Sequence, residues 1–382
     1  MRIVFYSHMS QLGNGGVESL LGIVKELSSR HDCCVVTPSS GSLNTTLNRL
    51  GIQNVVLPYK WSSSGVSTST TLLSMYKQWF VKRAYNNRVM AEHVRFLKTY
   101  QPDVLYSNTS VINIGVKLSE LLHLPHVWHV REFQMFNITP DFGHWYLKKY
   151  LNNSTRVIVN SQLLQNYYQQ YVASNRLHLV YNGVAPPSVM PSIKKMLVSD
   201  DAVCKFIVVG ALISGKSQMD VIQAARQLTL KLPTAAFEVH LVGSGPLKAE
   251  FESYIAAHQL ENVVILHGHQ SNVDAFYKET NCYVMCSEYE TFGRVTVEAM
   301  LCGLPILGRN APYNATKEII RPQTDGLLYT TIDELVEHME WVIENRSRAD
   351  EMGQNAKQWA KDNFLIERCA EQIEQHIMAC VH

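Results

Sequence analysis

A chain of 382 residues is too long for one ordinary hydrophobic core, so two domains of roughly 150–200 residues each are expected. Hydrophobic residues make up 46% and charged residues 18%, which excludes wholesale disorder, and a formal net charge of +1 gives no bulk attraction for nucleic acid. The eight cysteines are scattered without a C-x-x-C pair, mostly in apolar runs where a thiol packs as a small hydrophobe, so a reduced, cytoplasmic compartment is expected.

Met1 opens directly into the apolar run "RIVFYS", with no charged leader ahead of a hydrophobic region, a pattern unlike a signal peptide. No apolar run approaches the roughly 18 residues that a membrane span needs. Gly15-Gly16 and the amphipathic "VESLLGIVKELSSR" follow, then "CCVVTPSS", "NVVLPY", a long helical stretch, "DVLYSN", "VIVNS" and "HLVYNG". Strands and helices in regular alternation predict a parallel sheet covered on both faces.

The pattern breaks at residues 184–202, where three prolines and no period suit a linker. It restarts with "KFIVVG", "MDVIQAARQLTLKL", "FEVHLVGSG", "NVVILHG", "CYVMCSE", "VTVEAMLCG", "PILGRN" and "GLLY". The expected architecture is α/β, two facing Rossmann-like doubly wound domains, with a ligand crevice at the carboxyl ends of both sets of strands. The expected boundaries are 1–185, a linker at 186–202, a second domain at 203–362, and a C-terminal helix at 363–382 crossing back to the first domain.

"VVGALISGKSQ" contains Gly210, Gly215, Lys216 and Ser217 in the order G-x-x-x-x-G-K-S, the spelling of an NTPase phosphate loop between a strand and a helix. A working loop of that kind also needs a later strand ending in an aspartate that holds magnesium. "FEVHLVGSG" ends in glycines, "NVVILHG" in His-Gly, and "CYVMCSE" offers only Glu288 beyond its apolar run. "CYVMC" itself reads as a buried strand, not as a pair of metal ligands at Cys282 and Cys286. Gly13-x-Gly15 begins like a dinucleotide fingerprint, but Glu18 stands at the third glycine position, which argues against NAD.

"SEYETFGRVTVEAMLCGLPILG" carries more weight. Glu290 lies after a buried strand, Gly293 frees the backbone at a helix start, and Glu298 falls about two turns along. Free N–H groups at a helix start attract anions, and carboxylates accept hydrogen bonds from the paired hydroxyls of a ribose or hexose. Phosphate beside two sugar-gripping carboxylates describes a nucleotide-sugar site.

Glu290-x7-Glu298, with "ETFG" and "VEAMLCGLPI", resembles the signature of the retaining glycosyltransferases of family 4, which have the two-domain GT-B fold. "NGGVE" at 14–18 is similar to that family's N-terminal glycine loop, "PHVWHVREF" at 125–133 to its acceptor-domain histidine segment, and "VVGALISGKSQ" to its lysine block. "VNSQLLQNYY", "VYNGV", "LVGSGP", "LHGH" and "DGLLY" fall in matching order, so the resemblance covers nearly the whole chain.

The resemblance implies roles. Glu298 would hold the donor's ribose hydroxyls. Glu290, with backbone N–H groups around Thr291, Phe292 and Gly293, would hold hydroxyls of the transferred sugar. Lys216 would meet the diphosphate, beside Gly210 and with Gly15 and Gly16 letting backbone approach it, and His129 would sit beside the donor sugar. Where the family places an arginine, two residues after Gly210, this chain has Leu212, and Arg294 would be a substitute partner. No D-x-D motif occurs in a strand end, so a metal-independent reaction is expected, with no cofactor beyond the donor substrate. The implied reaction is retaining transfer from a nucleotide-diphosphate sugar, of UDP type, to a glycan or polyprenyl/lipid-linked acceptor in cell-surface polysaccharide or glycolipid assembly.

Bland alternatives stand beside these roles. Lys216, Glu290 and Glu298 could be solvated charges, His129 a satisfied core histidine, Arg131 and Glu132 a simple pair, and His267 and His269 either base-pocket or packing residues. Residues 68–100 combine aromatic and basic side chains, which suits either peripheral contact with the inner face of a membrane or packing on the sheet. The rival functions are a P-loop NTPase using Gly210–Ser217 and a non-catalytic GT-B partner subunit.

Overall fold

The computed structural model describes residues 1–65, 72–135, 138–141, 143–187 and 203–381. Most of the expected linker, including Asp200-Asp201, and residues 68–71 of the basic-aromatic segment lie outside them. The chain forms two units, Met1–Gly183 with Ile366–His382, and Val184–Leu365.

In the first unit, β1 (Arg2–Tyr6), β2 (Asp32–Thr37), β3 (Gln53–Val56), β4 (Val104–Asn108), β5 (His126–Val130), β6 (Arg156–Val159) and β7 (Leu177–Leu179) form one parallel sheet in the order β3-β2-β1-β4-β5-β6-β7. Period-two alternation along β1 sends its side chains to two cores. Ile3 and Phe5 pack with Val17, Leu20 and Val24 of the helix Gly15–Leu27, whereas Val4 and Tyr6 pack with Leu97 and Leu118 on the other face. The C-terminal helix Ile366–Val381 buries Ile366, Cys369, Ala370, Ile373 and Ile377, a helical stripe, in the same core as Val17.

The second unit repeats the plan. β8 (Cys204–Val209), β9 (Phe237–Val242), β10 (Val264–Gly268), β11 (Cys282–Met285), β12 (Ile306–Arg309) and β13 (Gly326–Tyr329) are parallel in the order β10-β9-β8-β11-β12-β13. Phe206 and Val208 of β8 share a core with Val221, Ile222 and Leu228 of the helix Gln218–Lys231. In both sheets the order reverses beside the first strand, between β1 and β4 and between β8 and β11. The strand ends beside such a reversal are the usual ligand position in sheets of this kind.

Helix Leu72–Tyr100 turns Trp79, Asn86, His93 and Leu97 inward, while Tyr76, Phe80 and Val81 are exposed. Among the described residues no helix is long and apolar enough to cross a membrane.

Candidate functional site

In the second unit the chain leaves β8 at Gly210 and makes a tight turn at Ser214–Lys216 before the helix Gln218–Lys231. Two backbones interlock here. Gly210 N–H donates to Val242 O, Leu212 N–H to Ser244 O and Leu247 N–H to Leu212 O. A Cβ at Gly243 would lie 1.9 Å from Gly210 O, and one at Gly245 2.3 Å from Leu212 O, so "VGSG" is glycine-rich because a second backbone occupies the space.

Glu288 N–H donates to Gly215 O, and the Cys286 thiol lies 3.1 Å from Lys216 O, fixing the lysine turn to the loop after β11. That loop includes a two-residue strand, Tyr289–Glu290, paired with Tyr313–Asn314. The ammonium of Lys216 then reaches Glu290 Oε2 at 2.6 Å, and Glu290 Oε1 accepts from Gly293 N–H at 3.1 Å. Attraction by Glu290 raises the Lys216 pKa and outweighs the opposing effect of burial, so the lysine is a fixed cation at neutral pH. Gly293 has φ +82° and opens the helix Arg294–Leu301, a left-handed corner that suits glycine.

The other expected residues of this unit divide by environment. Arg294 Nη2 lies 3.6 Å from Glu298 Oε1, one helical turn on, and the Glu298 side chain is 30% exposed. Phe292 is buried with its ring 5.7 Å from Phe364, so only its backbone can face a ligand. Thr291 stands between Glu290 and Phe292, beside the same corner. Leu212, at the position where an arginine is expected, is a core residue, which explains the apolar side chain there. Arg309, at the end of β12, was not among the expected residues. It bonds Asp220 Oδ2 at 2.5 Å and adds a cation to these strand ends. "ILGRN" signals the strand end but not this use of its arginine. His267 stacks on His240 at 5.1 Å, with His240 Nδ1 and His267 Nε2 2.8 Å apart and Glu238 2.9 Å from His240 Nε2, on the face of β9 and β10.

In the first unit the glycine loop lies at the end of β1. Gly13 takes φ +89° and donates its N–H to Glu18 Oε1, so the glutamate that breaks the dinucleotide pattern closes this loop. Asn14 caps the helix Gly15–Leu27 through Gly16 N–H. A Cβ at Gly16 would lie 3.1 Å from His8 Cε1 and 3.4 Å from Thr109 Cγ2, and Gly15 precedes it as the first helical residue.

His129, on β5, is fully buried. Its Nδ1 meets the Tyr106 hydroxyl and, at 3.2 Å, Arg131 Nη2. A guanidinium only donates, so Nδ1 accepts and the ring proton resides on Nε2. Burial, then the charge of Arg131, holds His129 well below its usual pKa and therefore neutral. Among the described residues Nε2 has no hydrogen-bond partner. Arg131 also donates to Asn108 Oδ1 at 2.7 Å and to Asn182, and Asn108 Nδ2 donates to Gly16 O, joining the histidine to the glycine loop. Glu132 accepts from both the N–H and the hydroxyl of Ser110, as well as from Arg131 N–H. His8 carries no local motif, and Asn108, Arg131 and Asn182 lie in quoted runs that do not reveal that these four side chains converge. No group of three or more His, Cys, Asp or Glu residues is placed to hold a metal among the described residues.

A profile described as Glycosyl transferases group 1 matches residues 190–359, and one described as Glycosyltransferase Family 4 matches residues 13–186. Between them they span nearly the whole chain. The chain belongs to this glycosyltransferase family.

An uncharacterised glycosyltransferase of Haemophilus influenzae is 23% identical over 273 residues, 70% of this chain and 72% of its own. Another, of Methanocaldococcus jannaschii, is 31% identical over 118 residues, which span 31% of this chain and only 28% of that relative. The crystal structure of Anabaena HepE in complex with UDP and glucose superposes with a TM-score of 0.79 at 22% identity, covering 99% of this chain and all of that one. The fold of this family 4 glycosyltransferase is GT-B, and the G-K-S spelling lies within residues 190–359 that match the Glycosyl transferases group 1 profile.

Proposed function

We propose that the protein transfers a sugar from UDP to a glycan or polyprenyl/lipid-linked acceptor, with retention at the anomeric carbon and without a metal ion. The observation that carries this reading is the join of Lys216, Glu290 and the Gly293 N–H at one helix start. Each Glu290 oxygen uses one lone pair on Lys216 or Gly293 and keeps another for a sugar hydroxyl. The fixed charge of Lys216 lies where a diphosphate leaving group would gain charge, an electrostatic role that needs no proton transfer.

Glu298 holds the ribose, with Arg294 beside it, and Gly210, Gly15 and Gly16 admit the diphosphate. Thr291 and Phe292 contribute backbone. His129 offers Nε2–H as a donor to a hydroxyl of the donor sugar. A donor phosphate oxygen assists the acceptor hydroxyl on the same face through an oxocarbenium-like transition state. The binding of UDP and glucose by HepE supports the choice of uridine. The exposed Tyr76, Phe80 and Val81 support a cytoplasmic protein that works at the inner membrane face in polysaccharide or glycolipid assembly.

A thermal-shift series over UDP, GDP and ADP tests the reading. Ligand at a hundredfold its Kd stabilises by about 2.7 kcal/mol, so UDP is expected to raise Tm by several degrees and the other two far less. No shift with any of the three removes the proposal, and magnesium-dependent ATP or GTP hydrolysis would return the NTPase alternative.

A further inference from the structure

In the second unit a chain of polar side chains crosses one face of the sheet, separate from the lysine turn and Glu298. Lys205 on β8 lies 3.6 Å from Glu238 Oε2 on β9, and the same oxygen lies 2.9 Å from His240 Nε2. His240 Nδ1 in turn lies 2.8 Å from His267 Nε2 on β10.

These bonds fix the protons. A carboxylate only accepts, so the proton between Glu238 and His240 resides on His240 Nε2. With one proton on each ring, His240 Nδ1 accepts from His267 Nε2–H, and His267 Nδ1 keeps its lone pair. That nitrogen has no hydrogen bond to any of the described residues. Burial and then His240 lower the His267 pKa, which keeps this acceptor form at neutral pH. An added proton makes Nδ1 a donor whichever ring carries it, because a doubly protonated His240 turns the bond between the rings round. The charges that face the pair are Glu238 and, through it, Lys205, while the helix Asp274–Glu279 presents Phe276.

His267 also stands where a ligand can read it. Backbone pairing skips it, since Leu241 pairs with Leu266 and Val242 with Gly268, and an extra residue of this kind re-aims a side chain. It lies one residue before the end of β10, at the carboxyl edge of the sheet, and is partly exposed whereas His240 is buried. Gly268 follows with φ +67°, and a Cβ there would meet nothing within 4 Å, so the space beside the ring is open. Phe276 meets the imidazole edge-on at 4.8 Å, and its neighbour Tyr277 donates to Val295 O of the helix that carries Glu298. One short helix thus braces both His267 and the helix of the carboxylate assigned to the ribose.

We propose that His267 Nδ1 accepts the N3–H of the donor's uracil, and that Glu238 and His240 are positioning residues that set its tautomer. The assignment rests on the reading of the donor as a uridine nucleotide. Cytosine carries an acceptor at N3, and N3-methylation of uracil replaces the proton by a methyl group, so either base leaves the lone pair of His267 unmet.

The test measures the Kd of the full chain for UDP, CDP and N3-methyl-UDP by calorimetry at pH 7.5 and 6. At pH 7.5 UDP is expected to bind about tenfold more tightly than either analogue, less than an enclosed site achieves because the ring is partly exposed. At pH 6 the preference for UDP over CDP should narrow, and taking the ratio cancels the ionisation of the shared diphosphate. His267→Phe should bring UDP to the affinity of CDP. Glu238→Gln, whose amide donates as well as accepts, should narrow the preference by about threefold or more without touching the base, an effect that a packing role does not produce. Its side chain is 27% exposed, so this variant keeps the test open if the phenylalanine variant fails to fold. Equal binding of UDP and CDP by the native chain, or a preference that neither variant alters, overturns the assignment and leaves the nucleotide-sugar reading standing. Binding of none of the three removes both.

Discussion

Lys216 and Glu290 act through one another at 2.6 Å, so neither has a separable contribution. Lys216→Ala removes the fixed charge that the leaving diphosphate would meet, and leaves Glu290, only 16% exposed, without that cation. Donor turnover should fall by about 10²–10³ in kcat/KM, the usual scale for one electrostatic donor. Glu290→Gln should fall comparably, and the double variant little further, because partners of one network are non-additive. Steady-state rates of UDP release from a UDP-sugar measure this, and strictly additive losses would separate the two residues. Each residue was legible singly, because both sit in local patterns, a strand–turn–helix and an E-x7-E spacing, but their pairing across 74 residues was not. Arg131 was not, because its partners Asn108 and Asn182 lie 23 and 51 residues away, and nothing local marks an arginine that holds the tautomer of His129.

At the scale of elements, the apolar runs forecast the strands of both sheets, since a parallel strand buried on both faces has to be continuously hydrophobic. The pairing of Tyr289–Glu290 with Tyr313–Asn314 was not legible, because two residues carry no period. The helix Ile366–Val381 was legible as one crossing back to the first domain, but not which residues of that domain receive it. Two glycines show what that docking requires. A Cβ at Gly183 would lie 2.5 Å from Ile366 Cα and 2.7 Å from Cys369 Cβ, atoms fixed to the helix axis. A Cβ at Gly22 would meet Ile366 Cδ1 at 2.8 Å, the movable end of a side chain, and alanine gains up to about 1 kcal/mol of helix propensity there. Gly183→Ala is therefore expected to cost about 1–3 kcal/mol in urea unfolding, and Gly22→Ala distinctly less. The opposite order would show that the terminal helix does not dock as described.

For the whole molecule, net charge near zero says nothing about acid stability, which depends on where histidines are buried. Burial lowers the pKa of His126 to about 3, and burial followed by the charge of Arg131 lowers that of His8 to about 4. His376, on the terminal helix beside His178 and Arg156, is lowered to about 4, chiefly by burial. All three belong to the first unit. Their folded pKa values lie below the unfolded value of about 6.5, so between pH 6.5 and 4 the unfolded chain binds more protons and stability declines as pH falls. Each fully buried imidazole contributes a slope of about 1.4 kcal/mol per pH unit in that window, and none of it above pH 7. Urea midpoints measured at pH 7.5, 6 and 5 should fall steeply below 6.5, with hydrogen exchange accelerating first along β4, β5 and the terminal helix. His126→Gln should flatten the slope even if it lowers the midpoint at pH 7.5. A midpoint that stays constant from pH 7.5 to 5 would mean that these imidazoles reach water in the native state.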